Sequence, residues 1–376
     1  MSNLVQRILS GAVIFFAVGT VGADVSPVPP SDKGVARLLA GMDPGEPGYD
    51  SLTSTPAWMD HHTFFEKNWA ELSRKRLDPA SGWRETDVKP DASLKTLFYP
   101  FSGPDFLNAY LFFPDCDTYV FYSLEAPGVS PAVFDLTPTD YGNLLQDIRE
   151  SLDDIFLRQY FITKRMMKEL RTPVLRGNAP LIMVFMARMN LEVLTVDHVR
   201  LGAEGDVHIS SVTATGALSK RAAKNPVPGV KITFRKPGEK TQTLYYYSVD
   251  VSNKGLVAHP EFLTYLNGLG QGITFMKSAS YLLHGSNFAK IRGAILGSTH
   301  FLLQDDSGLP FRFFGDEGWD VRLYGRYTNA IKDFNGTIQS DLDEAYQAQE
   351  VRPLPFKFGY HWGDQYSNVQ IAVRKQ

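Results

Sequence analysis

An α/β protein built around one mixed sheet is what this sequence predicts, with α+β as the alternative, and three observations carry that expectation. Several strand–helix–strand passages follow one another, beginning with Leu94–Glu125. A β-hairpin is written in the alternation of Val230–Phe234 and Thr243–Val251 across Lys236-Pro237-Gly238-Glu239. Further short strands near the C-terminus, with that hairpin, weigh against an all-parallel sheet.

The chain opens on a segment read as an export signal over residues 1–23. Arg7 supplies positive charge, Ile8–Val18 is an apolar run broken by Ser10 and Gly11, and Val21-Gly22-Ala23 offers small residues for cleavage. The run is short of the roughly 20 residues a bilayer span needs; an uncleaved N-terminal anchor is the alternative. No cysteine follows the run, which excludes a lipid-modified N-terminus of the bacterial type. These features place the protein in the periplasm or outside the cell, with no stable transmembrane anchor.

Residues 24–90 read as a Pro-rich leader followed by a helical N-terminal extension. Val35, Leu38 and Leu39 share one face of a short helix. Thr63-Phe64-Phe65-Glu66 matches a capping box and predicts a helix from Thr63 to near Leu77, ahead of Asp78-Pro79. Residues 91–376 form the main domain. After Leu94–Glu125, Thr137-Pro138 starts a helix whose Leu144, Leu145, Ile148, Leu152 and Ile155 fall at helical spacing. A further helix is expected at Thr163–Leu170. Ala179–Met189 is apolar almost throughout and is read as a buried helix. Strands follow at Val193–Leu201, Val207–Ala214 and in the hairpin. Helices are expected at Pro260–Asn267, Thr274–His284 and Asn287–Leu296, and strands at His300–Gln304, Val321–Tyr327, Phe356–Tyr360 and Asn368–Val373.

The net charge of −3 becomes −4 on cleavage, because the segment removed carries Arg7 and no acid. Acids and bases are interspersed, which excludes the basic stripe of a nucleic-acid binder. Cys116 is the single cysteine, so no intrachain disulfide exists and stability rests on the core. Flanked by Asp115 and Asp117, it is read as structural rather than reactive.

The chemistry is sought at strand ends. In Tyr99-Pro100-Phe101-Ser102-Gly103-Pro104-Asp105-Phe106, a turn follows a strand, and Glu125 ends the next one. Ser102, Asp105 and Glu125 therefore fall where open α/β sheets hold their ligands. A nucleotide cofactor is disfavoured: Gly103 stands alone and Pro104 removes an amide donor. The plainer reading is a turn in which Ser102 or Asp105 caps the following helix. Asp305-Asp306-Ser307-Gly308 ends another apolar strand and offers two carboxylates, of which one is expected to face any given pocket; a polar turn is the plainer reading here too. His284 and His300 flank a helix and are candidates to join Asp305. Lys277, in an apolar stretch, is a candidate base or ligand contact, or the partner of an acid. Metal dependence stays open. Asn335-Gly336-Thr337 matches a glycosylation sequon.

The blocks Tyr99–Phe106, Lys277–His284 and Leu303–Gly308 resemble those of a family of exported bacterial proteins to which no activity is assigned. The resemblance runs from about residue 35 to the C-terminus; it implies a bacterial, periplasmic origin and one continuous unit, and transfers no catalytic residue. The expected function is ligand binding or interaction in the cell envelope through a pocket lined by the 102–105 and 305–308 turns, with an unknown small molecule or envelope component as partner. The alternative is a hydrolase-like enzyme using Asp105, Asp305 or Asp306 as acid or base, assisted by His284 or His300.

Overall fold

Alternation along each strand divides this protein's apolar residues between two cores, one on either face of a single sheet. The computed structural model describes residues 30–158, 161, 174–210, 226–315, 318–328, 334, 338–348, 350–361 and 367–375. The export signal, the helix expected at Thr163–Leu170 and the sequon lie outside them.

Ser31–Gln376 forms one unit. It begins with helices α1 (Asp32–Leu39), α2 (Asp50–Thr53), α3 (Pro56–Leu72) and α4 (Asp78–Asp87), the last two joined by a π-helical turn over Ser73–Leu77. Strand β1 (Thr96–Pro100), helix α5 (Phe106–Phe112) and β2 (Thr118–Ser123) follow, then α6 (Pro138–Arg158) and α7 (Ala179–Arg188). Next come β3 (Glu192–Leu201), β4 (Val207–Ile209), β5 (Pro228–Arg235), β6 (Gln242–Ser248), α8 (Asn253–Ala258), α9 (Pro260–Gly268) and β7 (Gly272–Met276). The chain continues through α10 (Ala289–Ser298), β8 (Thr299–Gln304), β9 (Trp319–Gly325), α11 (Ser340–Ala348), β10 (Val351–Arg352) and β11 (Asn368–Arg374).

Eleven strands form the sheet in the order β10-β9-β11-β8-β7-β1-β2-β6-β5-β3-β4. The central five, β8-β7-β1-β2-β6, are parallel. The β5–β6 hairpin and β3 extend one side antiparallel, and β11 and β9 extend the other. The protein is therefore of the mixed α/β class.

Leu97 and Tyr99 of β1, Tyr119 and Phe121 of β2, and Ile273 and Phe275 of β7 enter the core beneath α1 and α3–α7. Their neighbours Phe98, Val120, Tyr122 and Met276 enter the opposite core, beneath α8–α10. In β6, Tyr246 joins the first core while Tyr245 and Tyr247 pack with the second, so strand alternation accounts for these three consecutive tyrosines.

Several local expectations are corrected. Helix α3 starts at Pro56 with Thr55 as its N-cap, and Thr63 lies inside it, its hydroxyl donating to the Met59 carbonyl (2.9 Å). Glu66 instead pairs with Arg188 at 2.7 Å. The helical path does not stop at Leu77, because Pro79 sits in the first turn of α4, where a missing N–H costs nothing. The stretch Thr274–His284 is not a helix: its start belongs to β7, a fully buried parallel strand, followed by turns. Phe356–Tyr360 is a loop running into a 3₁₀ turn at Gly359–His361. Trp83 of α4 packs on Phe112, Tyr324 and Phe356, so the N-terminal helices share the core of the main body.

Candidate functional site

The chain passes from β1 to β2 on one side of β1 and later returns to place β7 on its other side. This reversal of direction is a topological switch point, where the loops at the carboxyl ends of adjacent parallel strands diverge and leave a crevice. A cavity of about 100 Å³ lies there. Most of its wall comes from four strand ends: Phe101, Ser102, Gly103 and Asp105 after β1, Ser123 at the end of β2 with Leu124 and Glu125 beyond it, Val249, Asp250 and Val251 after β6, and Lys277, Ser278, Ser280 and Leu282 after β7; Phe288 also lines it.

The β1–α5 turn is tight. Phe101 (φ +58°) and Gly103 (φ +52°) both take the left-handed conformation. Asp105 caps α5, its Oδ1 accepting from the Asn108 backbone N–H (3.2 Å) and side-chain amide (2.7 Å). Its Oδ2 accepts from the Tyr99 hydroxyl (2.9 Å) and pairs with Lys277 Nζ at 2.8 Å. All four residues are buried. Burial lowers the Lys277 pKa, opposed by the charges of Asp105 and Asp305. Arg76, from the π-helical turn, adds a second cation near Asp105; burial pushes it down to about 9, and it donates to the Ile155 carbonyl at 2.8 Å.

The 305–308 turn braces this floor from behind. Asp305 Oδ2 accepts from the Ser278 N–H (2.9 Å), while Oδ1 accepts from the Ser307 N–H and hydroxyl. The Ser307 hydroxyl oxygen accepts from the Ala279 N–H (2.7 Å), so the turn clamps residues 278–279. Gly359, at φ +62°, passes so close that a Cβ there would lie 2.0 Å from Asp305 Oδ2. Burial, reinforced by the charge of Asp306, pushes the Asp305 carboxyl up to about 6. Asp306 points elsewhere, accepting from the Tyr281 hydroxyl and from Asn368 Nδ2 (2.9 Å), with His361 Nε2 at 3.7 Å. Burial pushes its carboxyl up, but these three partners outweigh burial and hold it below the usual range.

Ser102, Asp105, Glu125 and Lys277 thus share one cavity, whereas Asp305 and Asp306 stand behind it and do not line it. His284 packs edge-on against Tyr281 at 5.1 Å, outside the cavity, and burial pushes it down to about 4. His300 is the second residue of β8 and Asp305 follows its last, so these two lie at opposite ends of that strand. Glu125 is 3 % exposed and accepts from the Ser123 hydroxyl, which also bonds the Tyr246 hydroxyl at 2.7 Å. Ser102 is 4 % exposed, and its Oγ has no hydrogen-bond partner among the described residues.

Sequence reasoning passed over Asp250, Ser278 and Ser280. Asp250 lies just past the end of β6, so the carboxyl-end rule would have found it had the strand been ended two residues earlier. Ser278 (φ +56°), Ser280 (φ +58°) and Tyr281 (φ +53°) owe their place to left-handed backbone, which no side-chain pattern announces. Cys116 is buried, and burial pushes its thiol up to about 12. Among the described residues, no group of three or more His, Cys, Asp or Glu has the arrangement of a metal site, and no helix is long and apolar enough to cross a membrane.

Comparison with protein-family profiles, with curated proteins and with solved structures finds no match to this chain. Fold and cavity together define a mixed α/β protein with a crevice at a topological switch point.

Proposed function

We propose that this chain is an exported bacterial binding protein of the cell envelope whose switch-point crevice holds a small polar molecule. One observation carries the reading. Of the five non-glycine residues with positive φ among those described, four (Phe101, Ser278, Ser280 and Tyr281) stand in the two loops flanking the cavity. Each such residue costs about 1–2 kcal/mol and persists only where its surroundings over-determine it, as at ligand clamps and active sites. Here the Asp305–Ser307 clamp and the Asp105–Lys277 pair supply that determination. Export rests on Arg7, the Ile8–Val18 run and Val21-Gly22-Ala23, and the bacterial origin on the resemblance of the Tyr99–Phe106 and Leu303–Gly308 blocks.

A second reading, a hydrolase-like enzyme, draws on the presence of Ser102, Asp105 and Lys277 in one cavity. A buried amine with a lowered pKa and a nearby hydroxyl are the parts of a base–nucleophile pair. Turnover separates the two readings.

The test is a thermal-shift and ligand-observed NMR screen with amines, acids, alcohols and sugars of up to about ten heavy atoms, scored also for chemical change of each compound. Binding without conversion, abolished by the cavity-filling variant Ser102→Leu, is the expected result. Conversion of a bound compound moves the assignment to the enzyme. Failure of every compound to bind, or binding that survives Ser102→Leu unchanged, rejects the crevice as the site.

A further inference from the structure

We infer that the molecule this crevice accepts carries a compact cation, an alkylammonium group, seated against Glu125 with Asp250 at the mouth. The inference rests on the binding reading and adds the ligand's charge.

Lys277, the one cation among the described residues that line the crevice, is engaged from within, and Arg76, near Asp105, does not line it. Lys277 is matched by Asp105 at 2.8 Å, and the N-terminal amides of α5 are capped by the same carboxylate. What remains in the wall is negative. Glu125 is buried and, among the described residues, its carboxylate meets only hydroxyl donation from Ser123, and Asp250 accepts from the Ser252 N–H (2.9 Å). No Lys, Arg or His among the described residues pairs with either one. A buried carboxylate without a countercharge is costly, and a cation entering the cavity offsets that cost.

Two independent features fit an ammonium group. Ser102, 4 % exposed, lines the cavity, and its buried Oγ has no hydrogen-bond partner among the described residues, which leaves it an acceptor for an ammonium N–H once the hydroxyl is reached. Phe101 and Phe288, with ring centroids 6.1 Å apart, also line it, and aromatic faces attract cations. Size sets the upper limit: an apolar cavity of about 150 Å³ takes benzene, so about 100 Å³ takes a head group of a few heavy atoms, with any tail passing Leu124 and Leu282 at the rim.

Saturation-transfer NMR on the purified protein with n-butylammonium, n-butanol and n-butyrate at matched millimolar concentrations tests this. The expected result is at least tenfold tighter binding of n-butylammonium than of the other two, weakened at least fivefold by Glu125→Gln and by Asp250→Asn. Asp250 is exposed, so its variant carries the comparison even where Glu125→Gln does not fold. Equal or tighter binding of n-butanol or n-butyrate, or a butylammonium affinity unmoved by both variants, overturns the cation while leaving the crevice standing as a site. Binding of none of the three overturns it as well, and if the wider compound screen is also blank the crevice reading falls with it.

Discussion

Lys277 Nζ lies 2.8 Å from Asp105 Oδ2, joining the end of β7 to the cap of α5 across the switch point, with both side chains buried. Removing one member of such a pair leaves the other buried without its 2.8 Å partner. Asp105→Asn and Lys277→Met are each expected to cost about 3–5 kcal/mol. Asparagine can still cap α5, so the cap is not the source of the loss. In the double variant neither charge is left, and its cost should fall short of the sum by at least about 2 kcal/mol. Urea denaturation of the three variants measures this; additive costs would mean that the pair is not coupled in the folded protein.

Ser278 offers the opposite kind of change. Its φ of +56° is strained for serine, and its Oγ has no partner among the described residues. Ser278→Gly relieves about 1–2 kcal/mol of left-handed strain and gives back roughly 0.5–1 kcal/mol in backbone entropy. A net gain of about 0.5–1 kcal/mol in thermal unfolding is expected, together with weaker ligand binding as the clamped loop loosens. Destabilisation would show that the loop is not strained at this residue.

Cys116 should be inert. It is 2 % exposed, and burial holds its thiol at about 12. Against a free thiol near 8.5, that lowers the thiolate fraction at pH 8 by roughly a thousandfold. A disulfide reagent is therefore expected to label it at once in denaturant and only slowly under native conditions. Rapid native labelling would place Cys116 in an accessible site.

The fold was legible where local chemistry and tertiary context agree. The β5–β6 hairpin carries its own alternation and turn, and α7 its Pro180 start. The central strand β7 was not legible, because Gly272–Met276 is a short apolar run buried on both faces, with no period to tell it from a helix. Thr63 and Glu66 have the spacing of a capping box, yet Thr55-Pro56 starts the helix first and Glu66 is taken by Arg188. At the site, the strand-end rule found Ser102, Asp105 and Glu125. That Asp305 serves through the Ser278 backbone rather than by facing the cavity depends on how β7 and β8 sit side by side, which a linear pattern does not contain.

Asp305 and His61 set opposing pH dependences over the same window. Asp305 sits near 6 when folded, because burial and Asp306 disfavour its charge, against about 3.9 unfolded. Between those values the folded chain holds the extra proton, so the contribution of Asp305 is complete below about pH 4 and is lost as pH rises through 6. His61 is fully buried, bonds the Leu39 carbonyl oxygen at 2.8 Å through Nε2, and is pushed down to about 4 by burial. There the unfolded chain holds the extra proton from about pH 6.5 downward, so its contribution is present above 6.5 and is lost as pH falls through 4. The two slopes oppose; His284, also pushed down to about 4 by burial, adds a second rising limb, so stability is expected to rise with pH across pH 4–6. Asp305→Asn removes the falling limb, leaving stability that rises steeply with pH. His61→Phe removes one of the two rising limbs, leaving that of His284 to offset Asp305 and the profile nearly flat. Guanidinium denaturation of the three proteins at half-unit steps from pH 4 to 7 reads these slopes; parallel profiles would show that neither group titrates differently in the folded and unfolded chains.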